Sequence, residues 1–311
     1  MIVVRKTDEI KDTDGLAATT GFFDGVHGGH RFLIDTLKDA ARIRRLPSAV
    51  ITFSQHPRTV LHAEYQPRLL NSPEEKLARL AGTGVDYCIL LDFTTALSEL
   101  TAEEFISSVL SEQWKVKTLL TGYDHRFGRD RADGFPQYAR YASACGMEVL
   151  ETPPFIDGGV AVSSSEVRKQ LAAGHVERAA RLLTYPYRLK GRVVHGDGIG
   201  RTIGFPTANI QIDEPFRMLP CEGVYAVEAV LPEGKYKGMM YIGRRPTLGA
   251  GDPEVALEVN MLDFTGDIYT KEITVSFIRY MRGDMRFNSM KELKEQLERD
   301  RETAYSVLSV T

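Results

Sequence analysis

Gly21-Phe22-Phe23-Asp24-Gly25-Val26-His27-Gly28-Gly29-His30 decides how the first half of this chain is read. A short apolar, β-branched run at residues 16–23 leads into it. Residues 30–45 follow with apolar side chains at Phe32, Leu33, Leu37, Ala40 and Ala41, the spacing of one helix face. The stretch is thus a strand-to-helix turn. Its glycines let backbone N–H groups approach an anion, and the positive end of the helix points at the same place. His27 and His30, three residues apart at the helix start, can donate to phosphate oxygens and so stabilise charge on a phosphorus undergoing substitution. The bland alternative is a tight turn with two surface histidines. A metal site is the weaker reading, because no third ligand lies close in sequence.

Outward from this turn the pattern alternates. Residues 49–53 and 85–93 read as strands, as do residues 118–122 and 147–150. Ser72-Pro73-Glu74-Glu75 and Thr101-Ala102-Glu103-Glu104 are capping-box helix starts, the second opening a helix to about Gln113. Residues 135–144 form a further helix, and residues 167–183 two helices broken at Gly174. Strands alternating with helices predict a parallel sheet covered on both faces. Two more stretches suit phosphate binding. Gly122-Tyr123-Asp124-His125-Arg126-Phe127-Gly128-Arg129-Asp130-Arg131 follows a strand, and Ser163-Ser164-Ser165-Glu166-Val167-Arg168 opens a helix whose hydroxyls and N–H groups can hold a triphosphate. Taken singly, each has an ordinary explanation, a solvated arginine turn and a helix cap.

The pattern changes near Thr184-Tyr185-Pro186-Tyr187. Six strand-like runs follow, at residues 189–194, 207–211, 224–231, 237–242, 256–262 and 273–280, separated by turns such as Pro232-Glu233-Gly234-Lys235. One helix closes the chain, with Ser289 and Glu292 as a third capping box. This predicts a small β-barrel with a terminal helix and domains at residues 1–185 and 186–311, in keeping with a length of 311 residues. Gly196-Asp197-Gly198-Ile199-Gly200-Arg201 is no dinucleotide fingerprint, since the third glycine would fall at Arg201 and a strand, not a helix, is expected next. Further on, Thr207 and Asn209 face one side of a strand with the hard oxygens that Mg2+ accepts beside ATP phosphates. Glu258, on an alternating strand, could accept a hydroxyl proton during phosphoryl transfer; on its own such a residue is ordinarily a solvated polar one.

Formal net charge is −3 with no block of like charge, which argues against nucleic acid as a partner. Cys88, Cys145 and Cys221 are far apart and form no Cys-x-x-Cys pair, which fits a reducing compartment. No signal-peptide h-region or membrane-length apolar run is present, so the expectation is a cytoplasmic protein without a membrane partner, a monomer or weak homo-oligomer.

The three first-half stretches together, with Thr52-Phe53-Ser54-Gln55-His56-Pro57, resemble the FMN adenylyltransferase domain of the prokaryotic bifunctional riboflavin kinase/FAD synthetases, within the His-x-Gly-His nucleotidyltransferases. In the second half, Gly204-Phe205-Pro206-Thr207-Ala208-Asn209, residues 241–247 and Glu258 resemble the riboflavin kinases. The resemblance implies an α/β fold: a Rossmann-like nucleotidyltransferase domain with a parallel sheet, followed by a six-stranded antiparallel barrel with a terminal helix. It implies a multifunctional flavin-handling transferase. Riboflavin is phosphorylated by ATP to FMN, and FMN takes an adenylyl group from a second ATP to give FAD, with Mg2+ assisting. His27, His30 and Glu258 are implied as catalytic. Gly21, Phe23, Asp24, Gly28, Phe53, His56, Asp124, Ser164, Ser165 and Arg168 are implied as binding residues of the first site. Gly196, Gly198, Gly200, Gly204, Pro206, Thr207 and Asn209 are those of the second, Thr207 and Asn209 holding the metal. Gly29, His125, Ser165 and Asn260 depart from the commoner residues of the family. Two alternatives stay open: a nucleotidyltransferase for another phosphorylated substrate, which leaves the Pro-Thr-Ala-Asn segment without a role, and a flavin-binding regulatory protein without catalysis.

Overall fold

The computed structural model describes residues 1–10, 13–55, 68–129, 131–196, 199–214, 216–245 and 254–309. The chain divides into two compact units, Met1–Ser164 and Ser165–Thr311, ahead of the boundary expected at residue 185.

In the first unit β1 (Ile2–Val4), β2 (Leu16–Thr20), β3 (Ser48–Phe53), β4 (Tyr87–Leu91), β5 (Val116–Gly122) and β6 (Glu148–Thr152) form one sheet. Its order is β1-β4-β3-β2-β5-β6 and every neighbouring pair is parallel. α1 (Gly28–Arg44) follows β2, and α2 (Pro73–Ala81) precedes β4. α3 (Thr95–Glu99) comes next, and α4 (Ala102–Glu104) runs on as a π-type helix over Phe105–Gln113. α5 (Phe135–Ala144) joins β5 to β6. A hairpin of β7 (Ile156–Asp157) and β8 (Val160–Ala161) follows.

Period-two alternation sorts the strand side chains onto two faces. Leu16, Ala18, Ala49, Ile51, Ile89 and Leu119 share one core with Ile106, Leu110, Trp114 and Tyr138. Ala17 and Leu120 meet Leu37 and Ala41 of α1, while Val50 and Cys88 meet Ile34 and Leu80, on the other face. The sheet is therefore doubly wound. From β2 the chain winds through β3 and β4 to one side, and β5 and β6 lie on the other. The crevice at the carboxyl ends of β2 and β5 is the switch point at which such sheets take ligands.

Both predicted capping boxes of this unit form. Ser72 Oγ accepts the Glu75 N–H at 3.1 Å and Glu75 Oε2 accepts the Ser72 N–H at 3.0 Å. Thr101 and Glu104 do the same at 3.2 and 2.8 Å. β1 was not foreseen. Three residues carry no readable periodicity, and this strand exists because β4 offers it an edge, with Ile2 opposite Tyr87.

The second unit opens with α6 (Ser164–Ala172), inside whose first turn the division falls, and α7 (Val176–Leu183). β9 (Arg188–Val194), β10 (Ala208–Gln211), β11 (Gly223–Leu231), β12 (Gly234–Arg245), β13 (Glu254–Met261) and β14 (Glu272–Arg282) close a barrel in the order β10-β13-β12-β11-β14-β9. All its pairs are antiparallel. A one-turn helix, α8 (Ile199–Thr202), stands between the glycines and β10, where a strand was expected to follow directly. Phe205 N–H closing back on Gly200 O at 2.8 Å accounts for it. α9 (Met290–Leu308) lays Ala304 and Leu308 on Phe205, Ala226, Met239 and Leu262. Its predicted capping box forms only in half. Ser289 Oγ accepts the Glu292 N–H at 3.2 Å, but the Glu292 carboxylate takes the N–H of Asn288.

Candidate active sites

The first site is built around the turn after β2. Phe23 adopts a left-handed backbone (φ 57°), and Asp24–Val26 form a single 3-10 turn that delivers the chain into α1. The turn is held from two sides. The Asp24 carboxylate, 5% exposed, accepts the N–H groups of Leu70 at 3.0 Å and Asn71 at 3.3 Å. The Ser164 hydroxyl donates to the Asp24 carbonyl at 2.9 Å, tying the end of this unit to its first turn. The Asp24 carboxylate, expected as a ligand contact, accepts from the protein's own backbone. The Phe23 ring, expected likewise, lies in the core with Ile34 and Val50.

His27 caps α1, its Nδ1 accepting the His30 N–H at 3.3 Å. A neutral ring accepting at Nδ1 carries its proton on Nε2, which makes Nε2 a donor. The two rings stack, centroids 3.6 Å apart and 17° between planes. Burial above all holds His30 well below the ordinary histidine pKa. It is uncharged at neutral pH. Gly29 packs so closely that a Cβ there would lie 2.8 Å from Val162 O and 3.2 Å from the His27 ring.

At the end of β5 the Gly122 carbonyl accepts the His125 N–H at 3.1 Å, turning the chain. A cleft of about 440 Å³ opens here, lined among others by Thr121, Gly122, Tyr123, His125, Arg126 and Glu151. Burial first, then Arg131, pushes His125 down to about 4. Asp124 beside it is exposed. Phe53 ends β3, its ring edge-on to Phe93 at 5.3 Å. On α6, Ser165 is exposed and Arg168 half-buried one turn further in. His56 lies outside the described residues.

Lys76 was missed. Only 5% exposed, it lies at the carboxyl ends of β2 and β3. It sits four residues before the buried Leu80 and therefore on the inward face of α2, a signal the sequence did carry.

In the second unit β10 and β13 bring Asn209 opposite Glu258. Thr207 Oγ1 donates to Glu258 Oε2 at 3.2 Å. The Asn209 amide lies over Gly196, where a Cβ would come within 1.9 Å of Nδ2, and a Cβ on Gly200 would meet Phe205 O at 2.2 Å. These two glycines are bare because polar groups occupy the space. Gly204 takes a positive φ of 86°, and the Pro206 carbonyl accepts from Asn260 Nδ2 at 2.7 Å, which fixes the residue before Thr207. Gly198, Pro246 and Thr247 lie outside the described residues. Tyr241 is the other cross-strand neighbour of Glu258, its hydroxyl donating to Asp284 Oδ1 at 3.2 Å. Burial, with Asp284 next, pushes that phenol up to about 12.

The FAD synthetase family profile matches residues 9–166 and the Riboflavin kinase profile residues 183–308. The bifunctional riboflavin kinase/FMN adenylyltransferase of Escherichia coli (strain K12) is 40% identical over 299 residues, covering 96% of this chain and 94% of that one. That of Listeria monocytogenes is 37% identical, covering 94% and 92%. A crystal structure of a macrolide-efflux protein from Streptococcus pneumoniae is 32% identical and superposes with a TM-score of 0.85 over 97% of this chain and 98% of that one. Among the described residues no helix is long and apolar enough to cross a membrane. With both profiles matched, each on its own unit, and these identities running the length of both chains, the chain belongs to the bifunctional riboflavin kinase/FMN adenylyltransferase family.

Proposed function

We propose that this chain makes FAD in two steps at two separate sites: the barrel unit phosphorylates riboflavin with ATP, and the parallel-sheet unit transfers an adenylyl group from ATP to the FMN so formed. The observation that carries the reading is the convergence of Thr207, Asn209 and Glu258 in one unit and of the stacked His27 and His30 at the switch point of the other.

In the barrel, Glu258 takes the proton of the riboflavin 5′-hydroxyl as that oxygen attacks the γ-phosphorus. The Thr207 hydroxyl orients its carboxylate. Gly196 leaves room for the Asn209 amide and Gly200 for the Phe205 carbonyl, which sets these groups beside Thr207. The donor set suits Mg2+, which prefers hard oxygens and keeps waters and substrate phosphates as its remaining ligands. Thr207 and Asn209 would hold it, and it would supply positive charge against the phosphates of ATP.

In the sheet unit the attacking FMN phosphate is already ionised, so no strong base is required. Positioning and charge stabilisation supply the catalysis. His27, with its proton on Nε2, and the neutral His30 donate to oxygens of the α-phosphate, and the N-terminus of α1 adds its dipole. Ser164 stands beside this turn to take an oxygen of the leaving pyrophosphate. Asp124 and the cleft beside it face the larger substrate groups.

Incubating the purified chain with riboflavin, ATP and Mg2+ and separating the flavins tests both steps. FMN should appear first and FAD later. Glu258→Gln should stop FMN formation and spare FAD formation from supplied FMN, and His30→Ala should do the reverse. Flavin bound without any product would sink the reading in favour of a binding protein.

A further inference from the structure

Lys76 is a buried ammonium with no role in the mechanism above. Its Nζ donates to Phe53 O at 3.0 Å, Phe22 O at 3.3 Å and Thr52 Oγ1 at 3.3 Å, and lies 4.2 Å from the centroid of the Phe22 ring. Three donors thus meet three neutral oxygens, with a ring face adding cation–π attraction. Two of those oxygens sit at the end of β3 and one in the turn after β2. Filling a core needs no such group, because a methionine would occupy the same volume without removing a charge from water.

The groups facing it are few. Asp24 on the turn and Cys88 on β4 both favour its charge, but the Asp24 carboxylate is engaged by Leu70 and Asn71, and burial pushes the Cys88 thiol up to about 11. Burial pushes Lys76 itself down to about 8, which leaves it charged at neutral pH.

We propose that Lys76 is a positioning residue for adenylyl transfer: its ammonium clamps the end of β3 to the turn after β2 and so sets the turn bearing His27 and His30. The proposal rests on the adenylyl-transfer reading of the first unit. α2 contributes to the site twice, through the backbone ahead of it that Asp24 grips and through Lys76 that grips the turn in return.

The test uses the full-length chain carrying Lys76→Met, with Lys76→Arg as the conservative variant. Two quantities are read: FAD formation from FMN and ATP, resolved into kcat and KM, and FMN formation from riboflavin. For Lys76→Met, kcat for FAD formation should fall about 100-fold, as expected for a small misplacement of reacting groups. KM should change little and FMN formation should be unaffected. Lys76→Arg should restore part of the rate. Should Lys76→Met fail to fold, Lys76→Gln, which keeps donors without charge, should show the same loss of kcat with KM held. FAD formation within about threefold of wild type, or a loss carried by KM rather than kcat, overturns the proposal. Wild-type chain that makes FMN but no FAD overturns the underlying reading instead.

Discussion

The imidazoles of His27 and His30 lie face to face, 3.6 Å between centroids, and the His30 backbone N–H bonds back to His27 Nδ1. His27 is therefore both the cap of α1 and one half of the donor pair. Asparagine is a good helix cap and alanine a poor one, the difference being about 1 kcal/mol. His27→Asn should keep the thermal stability of the sheet unit while His27→Ala loses about that amount. Both should lower FAD formation steeply. Calorimetry beside flavin separation distinguishes the two roles; equal stability of the two variants would argue that His27 caps nothing.

His125 is held near pKa 4 in the folded chain against an ordinary value near 6.5. Between those values the unfolded chain binds a proton that the folded one refuses, so stability is complete above about pH 6.5 and is lost as pH falls toward 4. His30 acts in the same direction. His125→Phe should flatten the decline by up to ~3 kcal/mol, the worth of a shift of this size. Denaturant unfolding at pH 7 and pH 4.5 measures it, and identical slopes for variant and wild type would refute the assignment.

Gly196 is bare because the Asn209 amide occupies the place of its Cβ. Gly196→Ala should push that amide away, raise the Mg2+ concentration needed for FMN formation and slow it by about 100-fold. FAD formation from supplied FMN should be untouched. An unchanged Mg2+ dependence would show that Asn209 is not a metal ligand.

Asp24→Ala leaves the buried N–H groups of Leu70 and Asn71 without their acceptor. Hydrogen bonds to a charged group contribute about 1.5–3 kcal/mol each, so the sheet unit should lose on the order of 3 kcal/mol. The barrel should keep its riboflavin kinase activity. An unchanged melting temperature would show that the Asp24 carboxylate does not hold the turn.

What the sequence alone determined is what local physics decides. The residues of α5 and the six barrel strands follow from periodicity, and the boxes at Ser72–Glu75 and Thr101–Glu104 join residues three apart, whose geometry depends on little else. The motif residues Thr207, Asn209 and Glu258 were legible as types on strands, but their meeting depends on β10 pairing with β13, some fifty residues away. Tertiary structure alone decided the rest. β1 forms because β4 offers an edge. The Glu292 carboxylate chose Asn288 because two N–H groups compete for it at the start of α9. Phe23 and Asp24 look inward because the turn is packed against residues 70–76, and the Lys76 ammonium reaches the turn because α2 lies across the ends of β2 and β3. Periodicity says which residues share a face; only packing says which faces meet, and a buried charge acquires its function from the groups it meets there.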